Sequence, residues 1–280
     1  MKRYDEFEIY HPIVNLIFFA SVIVLCMVNL HPYVQFMGLV GSFSYLLYLR
    51  GRSAFKPLLF SFITAMGATV FNILFNHRGA TILAYFRNGN PLTLESVTHG
   101  LALGSSLACI LLWFACFNVV FTSDRLICLT GRISPTLSVL ITITLRFVPL
   151  YLSRLRRAAT DRRLFYGSGL RCGLKTIETV SAQVLESAIE TADVMRGRGL
   201  GLKGRTAFSP FKFRLRDVIA LAFIVLLAVL AFLLAPKAEY LPVYTSENIA
   251  PTGAFTAAVL VLLPTGLNLI YGEIKWRHLK

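Results

Sequence analysis

Apolar residues fall in long runs, and those runs organise the chain. Ile13–Leu30 and Tyr33–Leu49 come first, each entered through a His-Pro step at His11-Pro12 and His31-Pro32. Proline suits the first turn of a helix, where its missing N–H has no intrahelical partner to lose, so both steps predict helix starts. Pro57–Asn76 and Leu94–Phe121 follow, joined by the turn-rich segment 77–93 (HRGATILAYFRNGNPLT), which carries a short amphipathic piece. Val218–Ala235 and Thr252–Ile270 close the series, separated by residues 236–251. Each run has the length, about 17 residues or more, that a helix needs to cross a bilayer. Within the fourth, Gly100, Gly104 and Ala108 recur every four residues and put small side chains on one helix face. Such a face lets another helix approach closely, either inside the bundle or from a separate membrane subunit.

The middle of the chain has a different pattern. Pro135–Leu152 is apolar and long enough to span, yet it carries Arg146 in mid-run and leads into Arg154, Arg156, Arg157, Arg162 and Arg163. An arginine at the bilayer centre costs about 2.5–3.5 kcal/mol on insertion scales. Residues 135–166 therefore predict one long arm lying along the cytoplasmic interface, bent near Pro149, with Arg146 in a structural role beneath the bundle. After the break Gly167-Ser168-Gly169, Leu174, Ile177, Val180, Val184, Leu185, Ala188, Ile189, Ala192 and Met195 recur in steps of three and four. That is the period of an amphipathic helix, with Glu178, Glu186, Glu190 and Asp193 off the stripe as a solvated face. Gly197-Arg198-Gly199 supplies the helix stop, and Asp124-Arg125 reads as the cap of a cytoplasmic turn.

Charge orients these elements. Between Tyr151 and Arg216 there are fourteen Lys/Arg against five Asp/Glu, half of the 28 basic residues in the chain. By the positive-inside rule this segment is cytoplasmic, as are the loop with Arg50, Arg52 and Lys56 and the tail KWRHLK. The fold predicted is an all-α polytopic membrane protein with about six transmembrane helices and two long amphipathic cytoplasmic helices. Its parts are an N-terminal bundle of four spans (1–134), a cytoplasmic helical region (135–215) and a C-terminal pair of spans (216–280). Both termini are then cytoplasmic.

Composition agrees: 56% of the 280 residues are hydrophobic and 15% charged, with a mean hydropathy of +0.66. The net charge of +14 lies in segments flanking the apolar runs, which marks a membrane face and argues against nucleic acid as a partner. The acid-bearing N-terminus MKRYDEFEIYHP has no small-residue cleavage site after it, so the first run is expected to stay as a span. Cys26, Cys109, Cys116, Cys128 and Cys172 form no CxxC pair and read as small core residues. His11, His31, His77, His99 and His278 have no ligand spacing, and no nucleophile-base signature is present, so neither a metal site nor a catalytic one is expected. Gly199–Thr206 (GLGLKGRT) imitates a phosphate loop, but Arg205 stands where lysine is required and no strand precedes it. Any ATP chemistry then belongs to a partner. The competing class is a stand-alone secondary carrier or integral membrane enzyme. An ion-coupled carrier needs acids within its spans, and none falls in the middle of the six.

The run DRLICLTGRISPTLSVLITITLRFVPLYLSRLRR (124–157), followed by ETADVMRGRGLGLKGR (190–205), resembles the transmembrane T component of energy-coupling factor (ECF) transporters, the CbiQ-like family. The resemblance covers most of the chain and is best from Leu92 to Ser209. It implies a non-catalytic scaffold of a prokaryotic cell membrane, with two crossed cytoplasmic coupling helices. Each would dock through a short arginine motif on one of two ABC-type ATPases, which bind ATP and Mg. The membrane helices would hold a substrate-binding S component that takes up a vitamin or a metal. Carried over to this sequence, the second motif is Gly197, Arg198 and Gly199, with glycine where the family has alanine. The first has Ala159 as its alanine and either Arg162 or Arg163 as its arginine, with Asp161 intruding. Pro135, Arg146 and Pro149 belong to the first coupling helix. Gly100, Gly104 and Ala108 are either an S-component face or internal packing.

Overall fold

The computed structural model describes residues 6–76, 79–85, 91–133, 135–166, 169–199, 211, 213–234, 238–239, 245–246 and 251–278. Five stretches are long and apolar enough to cross a membrane: Pro32–Phe75, Leu94–Val120, Leu137–Arg162, Leu215–Leu234 and Thr252–Leu269, with Pro12–Val28 a shorter apolar helix. The chain separates into two compact units, one made of Met1–Arg125 with Phe211–Lys280, the other of Leu126–Pro210. The N-terminal 125 residues and the C-terminal 70 thus make a single body, and the arginine-rich stretch between them makes another.

In the first unit, α1 (Pro12–Val28) and α2 (Pro32–Arg50) start at the two His-Pro steps. Both histidines are extended and turn Nδ1 onto the helix: His11 accepts from Ile13 N at 3.3 Å and His31 from Tyr33 N at 3.2 Å. Imidazole here does what Ser or Asp does at an ordinary N-cap, satisfying an orphan donor of the first turn. Gly51 ends α2 with φ of +55°, a conformation that glycine alone adopts cheaply, so Pro32–Phe75 is two helices and not one rod. A 3-10 turn over Gly51–Ala54 leads into α3 (Phe55–Phe75), and α4 runs Leu94–Val120.

The connection between α3 and α4, expected to be turn-rich with an amphipathic piece, contains a small antiparallel hairpin, β1 (Ile82–Tyr85) with β2 (Pro91–Thr93). Glu95, in the first turn of α4, ties it down by accepting from Thr81 N at 3.3 Å and from the Thr81 hydroxyl. Another helix, α5 (Ser123–Ile133), occupies the place expected to be a capped turn, with Asp124 in its first turn; the boundary between the units falls within it, after Arg125. The first unit is completed by α8 (Leu215–Leu234) and α9 (Pro251–His278), joined through the two-residue strands β3 (Ala238–Glu239) and β4 (Thr245–Ser246). α9 outlasts its apolar run and carries the helix into the basic tail.

Helix pairs close wherever a small residue lets two backbones approach. The Cβ that Gly104 lacks would meet the Thr69 side chain and lie 2.8 Å from Ala65 O in α3. At Gly100 it would lie 3.2 Å from Thr69 O. Gly41 of α2 meets Val261 of α9, its missing Cβ 3.1 Å from the Val261 carbonyl oxygen. At the centre Trp113 is fully buried, with Phe18, Phe19 and Tyr45 at ring-centroid distances of 5.9, 6.1 and 6.4 Å, tilted or edge-on. Cys26, Cys109 and Cys116 are buried beside them, Cys109 Sγ 3.3 Å from Cys26 Sγ. These cysteines are core residues, as expected.

Candidate functional site

The second unit is built on two helices, α6 (Pro135–Tyr166) and α7 (Leu170–Gly197), about 48 and 42 Å long at 1.5 Å per residue. Pro135 is the first residue of α6, the position where proline fits best. α6 continues through Pro149, although proline leaves the Leu145 carbonyl without its usual donor four residues on.

The two helices pack along a polar seam. Arg154 Nη1 donates to Ser187 Oγ at 3.1 Å and Arg162 Nη2 to Thr179 Oγ1 at 2.6 Å, while Tyr151 and Ser181 share their hydroxyls at 3.3 Å. The two arginine contacts are eight residues apart on each helix and in opposite order, so α6 and α7 run antiparallel over that stretch. Thr176 and Val180 are buried in the seam, and Val184, Ser187, Ala188, Thr191 and Met195 are half-buried. Small hydroxyl side chains allow close approach and accept guanidinium N–H groups at the same time.

The seam covers only part of the apolar stripe of α7. Of the periodic apolar residues, Leu174, Ile177, Leu185 and Ile189 are 49–67% exposed, and only Val180 is fully buried. The covered face is turned round the helix toward Thr176, Ser187 and Thr191, because the arginines of α6 need hydroxyl partners. Glu178, Glu186, Glu190 and Asp193 are exposed, as expected of a solvated face.

The proposed docking residues fare differently. Arg198 is the exposed C-cap of α7; its backbone N–H bonds Val194 O at 3.0 Å, and its guanidinium has no hydrogen bond or ion pair among the described residues. Gly199 has φ of +82°, the left-handed turn that ends a helix, and its N–H reaches Arg196 O at 3.0 Å. Gly197 is helical and open, with nothing within 4 Å of where a Cβ would stand. Arg196 is exposed and only 3.9 Å from the exposed Asp193, a surface pair of small value.

On the first helix, Ala159 is half-buried, and Arg162 is engaged by Thr179. Arg163 lies in α6 but its side chain is outside the described residues, as is the phosphate-loop lookalike from Leu200 onward. Arg146 is exposed, with no hydrogen bond or ion pair among the described residues. The small-residue face of α4 does not wait for a partner: Gly100 and Gly104 are occupied by α3, and Ala108 is buried. The S-component alternative for these three residues gives way to internal packing.

The chain matches no protein-family model, and no curated protein matches it. Its chemistry must therefore be judged from its own geometry. Among the described residues no group of three His, Cys, Asp or Glu side chains is disposed to hold a metal ion. Two carboxylates among the described residues are deeply buried, and both act as structural staples. Glu95 secures the β1–β2 hairpin, and Asp217 accepts from Arg214 N at 2.9 Å and His11 N at 3.3 Å.

Sequence reasoning missed a third polar tie. With its amide oriented to satisfy both neighbours, Asn15 donates to Phe7 O at 3.1 Å and accepts from Arg125 Nη1 at 2.6 Å. Arg125 is 3% exposed. Asn15 lies near the start of an apolar run, and a polar amide there was the available signal.

Proposed function

We propose that this chain is the membrane-embedded coupling subunit of an ABC-type energy-coupling factor importer. Its α6–α7 hairpin would transmit the ATP-driven motion of two ATPase subunits to a membrane-embedded S component. In this reading the six helices α1, α2, α3, α4, α8 and α9 cross a prokaryotic cell membrane with both termini cytoplasmic, and α6 lies along the interface. ATP and Mg stay on the partner ATPases, and the substrate, a vitamin or a metal, is bound by the S component. The observation that carries the reading is the end of α7. An exposed arginine stands beyond a helical glycine and before a left-handed one, at the tip of a helix laced by hydrogen bonds to its antiparallel neighbour. A force applied at Arg198 would be passed along a seam that holds at Thr179 and Ser187. Arginine suits such a contact because its fixed fork of donors engages carboxylates or helix-end carbonyls.

Arg198 is therefore assigned to one ATPase. Arg163 becomes the better candidate for the other, because Arg162 already serves the seam. The test is purification from native membranes with identification of what travels with the chain. Recovery of nucleotide-binding subunits in stoichiometric amount is expected. A chain recovered alone that binds or turns over a substrate would instead be a carrier or an enzyme.

A further inference from the structure

A cleft of about 340 Å³ opens in the first unit between the N-terminal 3-10 turn (Glu6–Ile9), α8 and α9. Phe7, Phe223, Ile224, Leu263 and Leu267 line it, and Arg216 stands among them as the one charged residue. The apolar walls of the cleft offer a water few hydrogen-bond partners. α8 is 20 residues long, about 30 Å, which matches the hydrocarbon core of a bilayer. With Leu215–Leu234 across the membrane, Arg216 in the first turn sits at headgroup depth. Ile224, eight residues on and 2% exposed, lies about 12 Å deeper. The cleft thus runs from the headgroup boundary into the acyl region.

The charge at its mouth is fixed in position. Arg216 lies over the Tyr10 ring at 5.7 Å and donates from Nη2 to Ile9 O at 3.4 Å. Its Nε is 3.8 Å from Asp217 Oδ1, an ion pair too long for a hydrogen bond, and the buried carboxylate takes its hydrogen bonds from two backbone N–H groups instead. Arg216 itself remains 48% exposed, with guanidinium N–H groups to spare. The sequence adds Lys212 and Arg214 on the α8 side, while Glu6 and Glu8 flank Phe7 on the side of the 3-10 turn.

We infer that this cleft is a binding site for an anionic phospholipid, one acyl chain lying between α8 and α9 and the phosphate held by Arg216. The inference needs the chain to lie in a bilayer but not the coupling role. A lipid preference without co-purifying ATPases would sink the proposed function and leave this site standing.

The experiment is native mass spectrometry of the full-length chain in detergent, titrated with phosphatidylglycerol or with phosphatidylcholine of the same acyl chains. One phosphatidylglycerol is expected to bind about fivefold more tightly than phosphatidylcholine, the worth of one basic residue near the headgroups. Arg216→Gln should bring the two lipids to parity while phosphatidylcholine binding persists, which also shows that the variant is folded. Ala220→Phe, which fills the cleft, should weaken both lipids. Equal binding of the two lipids by the unaltered chain would overturn the inference. So would loss of both lipids in Arg216→Gln, or an equal loss of preference in Arg214→Gln, which would reveal only diffuse surface charge.

Discussion

Replacing Gly104 with leucine tests whether the small-residue face of α4 is spent inside the bundle. The first added atom, Cβ, would stand 2.8 Å from the Ala65 carbonyl oxygen and closer still to the Thr69 hydroxyl, both on α3. A backbone carbonyl cannot swing aside as a long side chain can, so the two helices must separate. Separation also strains the hydrogen bond from Thr69 Oγ1 to Gly100 O, 3.1 Å long and buried. Overpacking of this kind costs about 1–3 kcal/mol. At about 2–4 °C per kcal/mol for chains approaching this size, the melting temperature should fall by roughly 5 °C. The control is Gly67→Leu, on α3 but facing open space with nothing within 4 Å. It should melt no lower than the unaltered chain. The assay is thermal unfolding of the detergent-solubilised protein under one fixed condition. A Gly104→Leu protein as stable as the control would refute the packing assignment and reopen that face as a subunit contact.

Other outcomes follow from local geometry. Gly197→Ala should stabilise α7 by up to about 1 kcal/mol, because the site is helical and open. Gly199→Ala should cost about 1–2 kcal/mol at its positive φ. Thermal melts would separate the two, and ATPase binding lost in a stabilised Gly197→Ala protein would identify Gly197 as a point of close partner approach. Thr179→Val should remove the acceptor of Arg162 and loosen the α6–α7 seam by about 1 kcal/mol, read as faster amide hydrogen exchange in both helices. Unchanged exchange would mean that the seam does not depend on that contact. His31→Ala should lose an N-cap worth about 0.5–2 kcal/mol and His31→Asn should restore most of it, both read as melting temperatures.

Much of the architecture was legible because it rests on local rules. The His-Pro steps start helices at Pro12 and Pro32, and the apolar runs near 94–121, 218–235 and 252–270 are helices, the last running eight residues further to His278. The glycine stop after α7 was legible for the same reason, since Gly199 adopts a conformation that suits few other residues. What the sequence hid depends on partners distant along the chain. Periodicity showed that α7 is amphipathic, but it could not tell that Arg154 and Arg162 would draw Ser187 and Thr179 to the seam and leave Leu174, Leu185 and Ile189 outside. Gly100 and Gly104 announced a close contact without naming α3. The same holds for Asn15 and Arg125, 110 positions apart, whose contact no spacing rule suggests. α5 was missed because Ser123–Ile133 mixes charged and apolar residues in a stretch too short to stand out between two longer runs. The hairpin β1–β2 was missed because its strands have only four and three residues.

Charge reversal at Arg198 is the most direct test of the coupling role. In Arg198→Glu the side chain is exposed and outside the α6–α7 seam, so folding and melting temperature should be unchanged. Loss of a desolvated arginine contact costs about 2–5 kcal/mol in binding, enough to strip an ATPase subunit during affinity purification. The expected result is a folded membrane protein that has lost one ATPase and its ATP-driven uptake. A variant that still co-purifies with the full complement of ATPases and supports normal uptake would contradict the coupling role assigned to this helix end.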